Sequence, residues 1–209
     1  DEPAGFANTY HDWKGKRPNE SLGLSSSWSE YTYKNRDETY IYEIGPPKLH
    51  WCARIRQNDL VLATESTGFL ALEVAGLLTV QKDAKVSAHN ELRVSDGGRL
   101  VLQGGTIESA RWIDIQYGGS FEGYGKVKAD LFTKGTLYLS AKKSLVVEGN
   151  ACLSGELKLI ELPLKQTQKI LTLLSANSIS GTFVNNEVTV SGKTFSLFYS
   201  PTEVTLKQN

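Results

Sequence analysis

The sequence has no methionine, only two cysteines and no net charge, with 23 Lys and Arg balanced by 23 Asp and Glu. Each absence excludes something. Zero net charge argues against a protein built to coat nucleic acid or an acidic membrane, so no nucleic-acid partner is expected. The longest apolar stretch, Phe69 to Val80, is broken by Glu73. It is too short for a transmembrane helix. Cys52 and Cys152 stand far apart, with no CxxC and no Cys/His cluster at metal-ligand spacing. No metal site is therefore expected. There is no HExxH, P-loop or GxSxG, and Gly123-Tyr124-Gly125 lacks the third glycine of a dinucleotide loop. No cofactor is expected. Ser140-Ala141-Lys142-Lys143 matches SxxK in form only, because strand and turn residues surround it; it reads as a solvated turn. The missing methionine and the Asp1-Glu2 start lead to the expectation of a processed chain freed from a secretory leader, or of a segment of a longer one.

What is present falls into three zones: 1–60, 61–162 and 163–209. The first holds eight of the thirteen Trp and Tyr residues and four of the six prolines. Tyr31-Thr32-Tyr33 and Tyr40-Ile41-Tyr42 alternate as half-exposed strands do. The second zone is rich in glycine and free of proline. Pieces of three to five β-prone residues alternate there with turns such as Gly97-Gly98 and Gly118-Gly119. Such short strands suit a coil in which each turn contributes to several sheets.

The coil has a readable period. Glu73, Arg93, Asp114, Tyr138 and Lys158 each lie between two aliphatic residues, at steps of 20, 21, 24 and 20. A second series, Thr79, Val101, Glu122 and Val146, steps by 22, 21 and 24. A 20–24 residue turn predicts an all-β, right-handed parallel β-helix (a solenoid), with Glu73, Arg93 and Asp114 forming an outer ladder of alternating charge. An antiparallel sandwich is the other all-β arrangement. The third zone is expected to cap the coil with antiparallel hairpins, turning at Asn185-Asn186 and Ser191-Gly192. The aromatic zone is expected to cap the other end.

The run Ser144 to Leu159 resembles the last rungs of autotransporter passenger domains and of related autotransporter-type β-strand repeats. Ile170 to Phe183 resembles the segment that follows them, and Tyr199 to Leu206 is similar to the final strand of that cap. Gly104-Gly105-Thr106 and Gly119 to Gly125 look like their Gly-rich rung turns. The resemblance covers about 66–209. It implies a secreted or cell-surface β-helix and leaves the activity open, because such domains include adhesins, enzymes and stalks. The aromatic zone 1–60 departs from the pattern, and these residues include no membrane barrel.

Three functional readings follow. Trp13, Trp28, Tyr31, Tyr33, Tyr40, Tyr42 and Trp51 offer stacking faces to a polysaccharide or cell-surface glycan, or else they plug the first rung. His50, His89, Arg93 and Arg111 are the candidates for an enzyme. A lyase acting on acidic polysaccharide needs a cation to neutralise a carboxyl group and a base to abstract the neighbouring proton. Stacked rungs would also allow self-association into an extracellular scaffold. Cys52 and Cys152 are candidates for one disulfide, and Cys152 for a small core residue.

Overall fold

The computed structural model describes residues 39–43, 51–55, 59–62 and 66–69 as backbone, and 71–161, 170–190 and 192–208 in fuller detail. All regular structure among the described residues is β-strand. The strands are β1 (Thr39–Glu43), β2 (Trp51–Ile55), β3 (Asp59–Leu62), β4 (Ser66–Phe69), β5 (Ala71–Val74), β6 (Leu77–Gln81), β7 (Lys85–Ala88), β8 (Glu91–Val94), β9 (Arg99–Ile115) and β10 (Ser120–Thr133). They continue as β11 (Thr136–Ser140), β12 (Leu145–Val147), β13 (Asn150–Leu153), β14 (Glu156–Glu161), β15 (Ile170–Ser175), β16 (Ser178–Gly181), β17 (Glu187–Val190), β18 (Lys193–Tyr199) and β19 (Glu203–Gln208).

Parallel pairing stacks these strands into a β-solenoid with three sheets, of which about four turns have described side chains. Sheet I runs β2, β5, β8, the end of β9, the end of β10, β13 and β16. Sheet II runs β3, β6, the starts of β9 and β10, β11 and β14. Sheet III runs β4, β7, the middles of β9 and β10, β12 and β15. β9 and β10 pass through all three sheets without a break.

The core is the inward half of the alternation. Leu72, Val74, Leu92, Val94, Ile113 and Ile115 flank the outer ladder and are all buried. Each turn can hide these faces only against its neighbours, so the stack stands on the repetition. Adjacent turns lie about 4.8 Å apart.

Both sequence series are in register for three members and then exchange partners. Glu73 pairs Arg93 and Arg93 pairs Asp114. Asp114 then pairs Phe132, 18 residues on, and Phe132 pairs Cys152. Tyr138 and Lys158 belong instead to the ladder Thr79, Val101, Glu122, Tyr138, Lys158 on sheet II. The step from Glu122 to Tyr138 is only 16 residues. Val146 lies on sheet III beside Lys126. The turn shortens first at the register shifts between Tyr124 and Lys126 and between Lys128 and Asp130, and again where Thr133-Lys134-Gly135-Thr136 rounds the corner more tightly than Ile115 to Ser120 does. Lys134 and Gly135 both donate to the Ile115 carbonyl, at 2.7 and 2.9 Å.

The C-terminal segment also differs from expectation. β15 and β16 are not hairpin strands; they pair in parallel with β12 and β13. The antiparallel part is β17, β18 and β19, and β19 returns to pair with β15. Sheet III therefore continues from parallel coil into antiparallel strands. At the other end β1 pairs antiparallel with β2. Gly192 does turn the β17–β18 hairpin, at φ +74°. Asn185 does not make a hairpin turn. Its Oδ1 accepts the Leu157 N–H at 2.9 Å, and its Nδ2 donates to the Leu157 carbonyl at 2.9 Å. One amide thus imitates a strand residue along the edge of β14. The edge of β16 is met by the Pro201 carbonyl, which accepts the Ile179 N–H at 2.7 Å. Asn185→Leu should cost about 1–3 kcal/mol, the penalty for leaving buried main-chain groups unmet. A thermal melt with amide exchange at Leu157 checks this, and unchanged protection there would refute the edge-capping role.

Candidate functional site

Among the described residues, exposed aromatic rings lie on the outer face of sheet I and, at Phe198 of β18, on the C-terminal strands. Trp112 and Phe132 are 36% and 38% exposed, and Tyr117 at the adjoining corner is 74% exposed. Trp112 opens the last segment of β9, where Ile113 and Ile115 turn inward, so Trp112 and Asp114 must turn outward. Phe132 has the same parity in β10, between Leu131 and Thr133. Trp112 pairs Asp130 and Asp114 pairs Phe132. The two rings are thus diagonal neighbours, with attachment points about 7–8 Å apart.

Polar groups surround this pair. The Arg111 guanidinium lies 5.7 Å from the Trp112 ring centroid, a cation–π contact. Asp130 Oδ1 accepts the Asn150 N–H at 2.8 Å, and Asn150 Oδ1 accepts the Ser178 hydroxyl at 2.7 Å. Gln116 Nε2 donates to Asp114 Oδ2 at 3.4 Å. Arg93 sits in register between Glu73 and Asp114, yet its Nη2 donates to Glu91, at 3.1 Å on its own strand. Arg93 Nε and Asp114 Oδ1 are shielded from solvent and have no hydrogen-bond partner. Buried polar atoms are rarely left so, and such atoms beside a surface face invite a ligand or water.

The other two outer faces are occupied with their own charges. On sheet III Lys85 pairs Glu108 at 2.6 Å, and Lys126 and Lys128 share Glu148. On sheet II Arg99 pairs Glu122, and Lys143 lies 4.3 Å from the Tyr124 ring centroid. Glu161 accepts from Lys142 at 2.7 Å and from the Ser140 hydroxyl at 2.9 Å, which together hold its carboxyl below the usual glutamate range. Ser140 is fully buried, so the SxxK match is a strut between turns rather than a solvated loop.

The described enzyme candidates come together only in part. His89 and Arg111 occupy the same corner of the coil on successive turns, where Arg111 N–H donates to the Asn90 carbonyl at 3.1 Å. Arg93 lies inside the strand and is held by Glu91. His50 lies outside the described residues, as do Trp13, Trp28, Tyr31 and Tyr33. Tyr40 and Tyr42 fall in β1 and Trp51 in β2, where Glu43 pairs Trp51 and Tyr42 pairs Cys52; their side chains lie outside the described set.

Cys152 is a free, exposed cysteine, and its neighbours Ala151 and Leu153 take the core positions. Five pairing steps separate its strand from β2, which carries Cys52. That is about 24 Å at strand spacing. A disulfide needs Cα atoms within about 7 Å. Cys152 therefore makes neither the candidate bridge nor the candidate core contact.

The alternation contained a signal for this face that the aromatic count obscured. Once Asp114 is read as outward, Trp112 must be outward too. Among the described residues no three His, Cys, Asp or Glu side chains are grouped to hold a metal ion, and no helix is long and apolar enough to cross a membrane. No family model matches the chain, and no curated protein matches it.

Proposed function

We propose that this chain is a secreted or cell-surface binding module that recognises a glycan through the outer face of sheet I. The observation that carries the reading is the exposed diagonal pair Trp112 and Phe132, with hydrogen-bonding groups on either side. Flat rings receive the apolar face of a sugar, and polar neighbours read its hydroxyls. The mechanism is stacking and hydrogen bonding without covalent chemistry. The autotransporter-like pattern supports an extracellular setting. Right-handed winding is the sense that nearly all parallel strand crossovers take. Self-association by end-to-end stacking is disfavoured at the C-terminal end, where Asn185, Pro201 and β19 meet the last coil edges.

The test is electrophoresis of the whole chain through gels cast with a panel of polysaccharides, run beside an ultraviolet assay for unsaturated sugar ends. Retardation without new absorbance is the expected result. New absorbance that is abolished by His89→Ala or Arg111→Ala would replace the binding reading with a lyase.

A further inference from the structure

Three exposed rings lie on this side of the molecule, and their register fixes how a ligand must run to meet all of them. Trp112 and Asp114 face outward along β9, and Gln116 and Tyr117 follow where that strand ends. Phe132 sits on the next turn, in register with Asp114. The rings therefore form a row in the strand direction, first Trp112, then Phe132, then Tyr117. At strand rise the row from Trp112 to Tyr117 spans roughly 16 Å.

No ring continues the row from turn to turn. The column through Trp112 reads Glu91, Trp112, Asp130, and the column through Phe132 reads Arg93, Asp114, Phe132, Cys152, Ser180. Tyr117 has Asp96 at the corner of the turn before it and Lys134 at the corner of the turn after it. Among the described side chains, a polymer laid along the solenoid axis meets one ring on any of these columns. A polymer laid across the axis meets three.

Tyr117 is fixed where it stands. Gln116 to Gly119 close a turn in which the Gly119 N–H donates to the Gln116 carbonyl at 3.0 Å. Gly118 takes φ +75° there, and a Cβ on it would strike the Asp96 carboxylate. The Gly118 carbonyl accepts the Gly97 N–H at 3.2 Å, which ties this corner to the one before it. A tyrosine on so firmly held a corner loses little freedom when a ligand covers it. Polar groups fill the row between the rings. Gln116 Nε2 donates to Asp114 Oδ2 at 3.4 Å, and Asp114 Oδ1 has no hydrogen-bond partner. Rings alternating with polar groups suit a chain of sugars, each with an apolar face and hydroxyls at its edge.

We propose that the glycan lies across the solenoid axis, from Trp112 over Phe132 to Tyr117, and that Tyr117 is the residue that makes the site selective for chain length. This rests on the glycan-binding reading above and adds the direction of the chain and the far end of its site. Trp112 and Phe132 hold a short oligomer. Tyr117 acts on one long enough to reach it.

The experiment is calorimetry on the intact chain with cello-, manno- and galacturono-oligosaccharides, each from dimer to hexamer. In a series that binds, affinity should climb with length and level off once the oligomer spans the row. Tyr117→Ala should leave the shortest binding oligomer within twofold of wild type, weaken the hexamer severalfold and bring the plateau to a shorter length. Tyr117→Phe should keep the wild-type profile, and Trp112→Ala should weaken every length. The circular dichroism spectrum should be unchanged in all three variants. An equal effect of Tyr117→Ala at every length, or no effect at any, overturns the course of the chain while leaving a glycan-binding module in place. Failure of all three series to bind overturns the glycan reading itself.

Discussion

Gly123→Val should lower the melting temperature by ten degrees or more. Gly123 lies where β10 turns from sheet II toward sheet III, at φ +116°, a region that β-branched residues avoid. It is also paired on both sides, to Leu102 of β9 and Leu139 of β11. A Cβ there would lie 2.0 Å from the Leu102 carbonyl oxygen, a main-chain atom held in the stack. Strain and clash therefore add, for roughly 4 kcal/mol. In a chain of this size each kcal/mol shifts the midpoint by about 2–4 °C. Gly97→Ala is the control. Gly97 also has positive φ, at +75°, but a Cβ there meets nothing within 4 Å. It should cost only about 1–2 kcal/mol. Equal losses in the two variants would show that the tight stacking of β9 on β10 is not what constrains Gly123.

Arg93→Glu should be nearly as damaging. The substitution sets carboxylates in register on three consecutive strands, between Glu73 at 4% exposure and Asp114, with Glu91 beside them. Removing the cation that offsets partly buried acids costs about 3 kcal/mol, and adding a like charge does not lessen it. Arg93→Met, which keeps the stem and adds no charge, should lose less. Urea unfolding of the three proteins measures this. Equal deficits in the two variants would mean that the charge ladder is not what the residue supplies.

The ladder also shows how far the sequence could be read. Glu73, Arg93 and Asp114 could be aligned because each stands between inward aliphatics one turn apart, and the structure pairs them so. Thr79, Val101 and Glu122 behaved the same way. The error came at Tyr138, whose neighbours Leu137 and Leu139 look like those of any other outward residue. Alternation says that a residue faces out, but it carries no mark of which of three sheets the residue faces out from. A turn shortened at the two register shifts of β10 and again at Lys134-Gly135 therefore placed Tyr138 on sheet II. The same blindness affected β15 and β16, since a strand pairing in parallel and one pairing antiparallel share a pattern. Trp112 and Phe132 were overlooked for a different reason. The aromatics are densest in the first 60 residues, and density drew attention from two rings whose importance lies in position.

The place of β19 has a mechanical meaning. It is the last strand, yet it lies inside sheet III rather than at its rim, paired with β15 on one side and β18 on the other. Tension applied beyond Gln208 would act along that strand and load both ladders in shear at once. A strand at the rim would have only one ladder to share the load. The pairing of β19 on both sides therefore suits it to bear a pull.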